Sequence, residues 1–429
     1  MNTLLKKITS ISLISQYMGL PKQVYLLTIS RLICATGYFV YPFVTLYLST
    51  AEGYGESTIG WFTFMFSMIC LPSSVIAGKL ADKFSRKRTY LIYMLLTDLF
   101  FIITGIMTHQ PALIVFLTIA YFFDYSCAPL LNSMIMDVTT PENRQESYSL
   151  STLSLNVGFA ISPMIVSLFF NDHPHWIFYG HALANIIAVI MLFFFLKDTT
   201  ADRNAQIAAE KALLEAEAKA KGESTAKEES FFHALKRTPL IAFFAVASAL
   251  LTFVYALYMY MIPLHMKDLF GPEIGTTYYS SLVSVNGLAI IFLTPFLVLF
   301  TKKNSPVLNM ALTALVYLIG FGSYAFLKNP IIFVVMAAVW SCGESMYFAN
   351  VSTYVANNAP ASHRARFQSF IEIVTKVGSA VGPMSMGAFL LTHTFAQAWL
   401  VVIAICTIAV LFFLSLYVWE KKRNAKKAH

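Results

Sequence analysis

The sequence predicts an all-α membrane protein of twelve transmembrane helices, arranged as two pseudo-symmetric six-helix halves. Three observations carry this expectation. The 429 residues are 57% hydrophobic and only 12% charged, roughly half the charged fraction of a soluble chain. Apolar runs of roughly 20 residues, each long enough to cross a bilayer as a helix, recur from end to end. Lysine and arginine gather in alternate loops, as they do where a chain threads a membrane repeatedly.

The spans fall at about 23–49, 58–80, 89–107, 111–137, 146–170, 176–196, 239–265, 276–300, 306–327, 331–357, 365–391 and 395–419. Residues 1–22 precede them. They lack the long apolar core and small-residue cleavage site of a secretory signal. Leu4, Ile8, Ile11 and Met18 recur at helical spacing, which reads as a short interfacial helix on the cytosolic side. With the N-terminus placed in the cytosol, all but four of the 30 basic residues fall in inside segments. Lys267 and Lys328 lie in outer loops, and Arg31 and Lys376 lie within spans. Both termini are therefore expected on the cytosolic face of a bacterial-type plasma membrane. The net charge of +8 follows from this topology and needs no nucleic-acid partner.

The longest hydrophilic stretch, 197–237, holds eight basic and eight acidic residues. Lys211/Glu215, Glu215/Lys219 and Glu217/Lys221 are four apart, which suits a solvated helix. It reads as a cytosolic linker between an N-terminal half, 23–196, and a C-terminal half, 238–419, with a basic tail at 420–429. The five cysteines, Cys34, Cys70, Cys127, Cys342 and Cys406, all fall inside apolar runs without paired or metal-ligand spacing, and read as small apolar residues.

A shift of 220 positions relates the halves: Arg144 falls on Arg364, Ser149 on Ser369, Gly158 on Gly378 and Pro163 on Pro383. The same shift sets Asp124 on Glu344. Repeated halves of this kind are typical of transporters that bind substrate between them.

Between spans two and three the chain reads "GKLADKFSRKR", residues 78–88. Its Gly78, Leu80, Ala81, Asp82, Lys83, Arg86 and Lys87 resemble the signature loop of the major facilitator superfamily, with Ser85 in place of the usual glycine. The stretches "NSMIMDVTTPENR" (132–144) and "GES" (343–345) are similar to multidrug/proton antiporters of the LmrP type. Span five carries a partial form, "GFAISP", of the G-x-x-x-G-P pattern of drug/proton antiporters, and span eleven a full form, "GSAVGP". The resemblance implies the major facilitator fold, alternating access and proton coupling through acids matching Asp82, Asp137 and Glu344. It also implies a gating loop, Gly78, Asp82, Arg86 and Arg144, in which Asp82 and Arg144 latch the cytosolic side. Spans seven and twelve lack the acids of the LmrP type, and span four lacks the arginine of many antiporters.

Glu344 stands within "AVWSCGESMYFA", residues 338–349, with no basic residue within a turn or two. A charge at the centre of a span is costly, so such acids mark function or pairing. Burial without a partner favours a protonated carboxyl, which a wetted cavity would release. Glu344, with Asp124 or Asp137, is the expected proton carrier; neutralisation by Lys376 is the competing arrangement. Arg31 can pair with Asp124 or with Asp98, and Glu372 with Lys376 four residues on. Tyr38, Tyr41, Asn132, Tyr255, Met259 and Phe348 are expected to line a soft aromatic cavity suited to lipophilic cations.

Asp172, His173 and His175 group near the outer face, but histidines in one stretch are more often incidental, and no metal is expected. No phosphate-binding glycine loop, nucleophile elbow or zinc signature is present, so neither an enzyme nor an ATP-driven pump is indicated. The expected function is export of lipophilic or cationic small molecules, driven by the proton gradient without a cofactor. Its partners are the substrate, protons and membrane lipids, and it acts as a monomer. Export of a specific amphiphile (lipid, siderophore or peptide), import of a small solute, and a receptor that senses without turnover are the alternatives.

Overall fold

A computed structural model describes residues 17–140, 142–198, 235–236, 238–359 and 364–428, with 364–365 and 423–428 described by backbone alone. Most of the expected interfacial segment, nearly all of the linker and the side chains at the end of the basic tail lie outside the described residues. The helices in chain order are α1 (Lys22–Thr36), α2 (Val40–Thr50), α3 (Glu56–Lys83), α4 (Arg86–Ile106), α5 (Leu113–Asp137), α6 (Arg144–Val166) and α7 (Trp176–Phe195). They continue with α8 (Pro239–Phe270), α9 (Pro272–Thr301), α10 (Pro306–Gly322), α11 (Pro330–Asn358), α12 (Arg364–Phe389) and α13 (Phe395–Ala428).

Among the described residues, eleven segments are long and apolar enough to cross a membrane, with α1 and α2 counted together as Lys22–Thr50. The twelfth, α12, has 26 residues, about 39 Å of helix. Arg366, Glu372 and Lys376 in its first half lower its hydropathy. Large side chains such as Phe193, Phe194, Phe292 and Phe300 are 62–77% exposed; an apolar surface of this kind belongs in lipid, where helices satisfy their own backbone groups.

The first span is broken where a continuous helix was expected. Pro42 has no N–H to give the carbonyl of residue 38, and its ring crowds that carbonyl. The chain turns over residues 37–39 instead, with Gly37 N–H donating to Cys34 O at 3.0 Å and Tyr38 N–H to Ala35 O at 3.2 Å. Elsewhere the starts follow local chemistry. Pro239, Pro272, Pro306 and Pro330 open α8 to α11 in the first turn, where a missing donor costs nothing. Ser85, Ser305 and Asn329 cap α4, α10 and α11 by accepting from Arg88, Leu308 and Ile331 N–H.

The packing forms two compact units that cut across the sequence halves. One comprises the described parts of 1–38, 72–159 and 178–227; the other comprises 39–71, 160–177 and the described part of 228–429. Small residues set the close contacts within each. In the first, a Cβ on Gly158 would lie 2.5 Å from Ala35 Cβ, so α6 presses on α1 there. In the second, a Cβ on Gly378 would lie 2.4 Å from Ala249 O, and one on Gly382 2.7 Å from Phe253 O, so α12 presses on α8. The repeated glycines thus serve equivalent helix pairs, as small residues do where membrane helices approach closely.

Gly378→Ala should lower stability by about 1–3 kcal/mol, since a backbone carbonyl cannot give way as a flexible side chain can. Gly78→Ala is the control, with nothing within 4 Å of its added methyl. Thermal unfolding in detergent should show a clear fall for the first variant and none for the second.

Candidate functional site

Glu344 lies near the middle of α11 and is 7% exposed. Tyr255 on α8 donates its hydroxyl to Oε1 at 2.5 Å, and Asn286 on α9 donates Nδ2 to Oε2 at 2.7 Å. The Asn286 amide also reaches Ser341 Oγ at 2.8 Å, and Ser341 in turn donates to Ala337 O. Both carboxyl oxygens therefore accept from neutral donors, with no counter-cation among the described residues. Lys376 is not its partner; its side chain stands against Cys70 of α3. Rings back the site: Tyr258 packs on Trp340 at 5.2 Å and on Tyr255 at 4.9 Å.

Asp124, the counterpart on α5, is also 7% exposed. Asp124, Asp98 and Arg31 all lie close to Cys34. Arg31 does not take either acid. Its Nη1 donates to Asn132 Oδ1 and to Ser151 Oγ, each at 3.0 Å. Two neutral acceptors on α5 and α6 reach the guanidinium first and tie the three helices together. Glu372 accepts from Gln368 Nε2 at 3.1 Å, so the expected Glu372–Lys376 pair gives way to that contact and to Cys70. The hydrogen-bonded partner of Glu372 is thus one turn earlier on the same helix face.

Arg86 is the hub of the loop between α3 and α4. It pairs with Asp137, whose side chain is 6% exposed, and donates to Ser133 O at 3.0 Å. Its Nη2 lies 3.6 Å from Asp82, which is 70% exposed. The expected Asp82–Arg144 latch is not formed: Arg144 Nη2 donates to Thr139 O at 3.2 Å and Nε to Thr139 Oγ1 at 3.4 Å. Arg144 begins α6 a tight turn after α5 ends, so its guanidinium meets the negative carbonyl end of that helix before it can cross to α3. Asp137, expected among the proton carriers, is engaged by a guanidinium. Gly78 meets open space. Ser85, the departure from the signature glycine, caps α4 and donates to Asp198 at 2.7 Å.

Of the expected cavity residues, Tyr255 holds Glu344 and Asn132 holds Arg31. Tyr38 stacks on His181 at 5.6 Å, Tyr41 and Met259 are partly buried, and Phe348 is 62% exposed. Sequence reading missed Asn286, whose signal was a lone amide in the apolar run "SLVSVNGLAI". His181, six residues beyond His175, is fully buried against Phe101 at 4.6 Å. In the 171–175 loop, the His173 and His175 rings are 6.2 Å apart and His173 stacks on Trp176. Burial and the neighbouring His173 hold the His175 imidazole below the usual histidine range. Among the described residues no three histidine, cysteine or acidic side chains converge as for a metal ion.

The family model described as Major Facilitator Superfamily matches residues 27–383 and 277–429, and the chain belongs to that superfamily. A Na(+), Li(+), K(+)/H(+) antiporter of Planococcus maritimus is 21% identical over 385 residues, covering 85% of this chain and 88% of its own length. Multidrug resistance protein 2 of Bacillus subtilis (strain 168) is 24% identical over 185 residues, 42% of each chain. Among solved structures, the nucleoside transporter NupG superposes with a TM-score of 0.74 at 15% identity, covering 92% of this chain and 99% of its own. A peptide transporter POT in complex with sulfate gives a TM-score of 0.74 at 17% identity, covering 94% and 95%. These likenesses show a shared fold.

Removing Arg86 takes the guanidinium from a buried carboxylate, so Arg86→Ala should destabilise by about 3–5 kcal/mol. The double variant Arg86→Ala/Asp137→Ala should recover part of that loss in thermal unfolding. A double variant less stable than the single would contradict the pairing.

Proposed function

We propose that this superfamily member is a proton-coupled secondary transporter that exports lipophilic or cationic small molecules by alternating access. It sits in a bacterial plasma membrane with both termini in the cytosol. The observation that carries this reading is Glu344: a buried carboxyl, mid-helix, held by Tyr255 and Asn286, with no lysine or arginine among the described residues in ion-pair contact. A carboxylate held by neutral donors can take a proton without breaking an ion pair. The neutral acid then holds a cationic substrate more weakly, and a bound cation disfavours the proton. Competition for one carboxylate is the simplest physical basis for exchange, since each ligand lowers the affinity for the other.

Tyr255 and Met259, both partly buried, supply adaptable apolar contact beside the acid. The name of the Bacillus subtilis relative supports a multidrug substrate. The exposed Asp82, with Arg86 as its neighbour, supports a gate at this loop that opens without pulling a buried ion pair apart.

Contacts at the far end of the second unit support a state closed on the outer side. Lys267 Nζ donates to Ser49 O at 3.0 Å and Ser49 Oγ at 2.7 Å, Tyr279 donates to Pro42 O at 2.9 Å, and Tyr260 donates to Glu56 O. They fasten α2 and the start of α3 to α8 and α9. A second reading, exchange of monovalent metal cations for protons, is favoured by the antiporter relative that covers 85% of this chain.

In inside-out vesicles with an imposed proton gradient, the wild type should accumulate a lipophilic cation dye. Glu344→Gln should lose gradient-driven accumulation while still binding dye. Equal accumulation by both would make Glu344 structural. If sodium or potassium salts collapse the gradient and dye is not moved, the metal-cation reading replaces the multidrug one.

A further inference from the structure

Each charged side chain considered so far has an anchor: Arg31 has Asn132 and Ser151, Asp137 has Arg86, and Glu344 has Tyr255 and Asn286. Asp98, on α4, is the exception. It is 2% exposed, and neither of its oxygens has a hydrogen-bond partner. Asn185 on α7 stands within hydrogen-bonding approach of it, short of a well-formed bond, and Asp124 on α5 is its acidic neighbour. Cys127 on α5 and Cys34 on α1 flank both acids, with Arg31 beyond Cys34. The buried His181 on α7 packs on Phe101, one turn along α4 from Asp98.

Neither protonation state of Asp98 is fully satisfied in this arrangement. As a carboxylate it would be buried next to a second acid with only the loosely placed Asn185 amide as donor, a costly way to hold a charge. As a carboxylic acid it is far less costly, with Asn185 and Asp124 as the neighbours its hydroxyl could reach after a small shift. A structural acid is not built this way, because a fixed partner would stabilise the fold. A group whose partner forms only in another arrangement of the helices is built to change its proton. Arg31 cannot serve in its place, since both of its contacts are to neutral oxygens.

We propose that Asp98 is a second proton-binding site, carried by α4, α5 and α7 of the N-terminal half and loaded separately from Glu344. It holds the proton in the present state and exchanges it when α4, α5 and α7 shift against one another, with Asn185 and Asp124 as the groups that accept or share it. This rests on the proton-coupled reading above and deepens it: each half has an acid of its own, and the exchange moves more than one proton per cycle. The C-terminal half has no copy of the arrangement, since the shift of 220 sets Leu318 where Asp98 stands.

The test reads the carboxyl group directly and does not depend on transport. Infrared spectra of the protein in lipid nanodiscs would be recorded from acidic to alkaline pH, for the Glu344→Gln variant and for Glu344→Gln/Asp98→Asn. The expected result is a protonated-carboxyl stretch in the first that fades as pH rises, shifts in heavy water and is missing from the second. Asp98→Glu should move the band without deleting it, which separates loss of the group from loss of the fold. A band unchanged by Asp98→Asn, or one that never titrates, overturns the proposal. In vesicles that transport dye, Asp98→Asn should halve the protons moved per dye molecule; an unaltered ratio also overturns it. If no dye is moved at all, the exporter reading falls, while the infrared result still decides whether Asp98 binds a proton.

Discussion

Tyr255 and Asn286 give Glu344 two hydrogen bonds from neutral donors, on three different helices of the second unit. That arrangement meets the strictest demand the membrane makes. In a low-dielectric interior a lone carboxylate is expensive, and an ion pair that neutralises it would also lock it. Neutral donors hold the charge while leaving it open to a proton or a cation. The α8–α9–α11 contact is thereby a packing element that holds a buried carboxyl, the feature on which the proposed exchange rests. Asn286 links the acid to Ser341, so a proton added to Glu344 alters hydrogen bonds on its own helix as well.

The same economy explains the other charged groups. Arg86 holds Asp137 and Ser133 and so fixes the start of α4 to the end of α5. Arg31 joins α1, α5 and α6 through neutral oxygens. Arg86 and Arg31 are engaged with several partners on several helices, whereas Asp82 remains at the surface, 3.6 Å from the Arg86 guanidinium. Fixed charge thus sits at helix contacts and accessible charge at the loop. The glycines do the complementary work. Gly158 against Ala35 and Gly378 against Ala249 bring paired helices close enough that van der Waals contact holds them where lipid gives no hydrophobic drive.

The helices were legible because hydropathy over 20 residues is a strong signal. The 220-residue shift was legible too, and Asp124 and Glu344 prove equally buried. The break after Thr36 was not read, although Pro42 was in view; a proline's effect falls four residues earlier, inside what looked like one run. Partner choice was the least legible. Arg31, Arg144 and Lys376 were matched with acids by charge, but hydrogen-bonding neutral groups lay nearer in space than in sequence. Asn286 was invisible for the same reason: an amide in an apolar span declares that it has a partner but not which one. Charge and spacing name the candidates, and only three-dimensional reach selects among them.

The central claim is that Glu344 exchanges a proton for substrate. Calorimetry of a lipophilic cation binding to the purified protein, run in two buffers of different protonation enthalpy below the pH at which Glu344 is fully ionised, reads that exchange directly. The account expects the heat to differ between buffers by the release of about one proton per cation bound, and expects Glu344→Gln to bind with buffer-independent heat. Binding by the wild type that releases no proton, or equal release by Glu344→Gln, would contradict it.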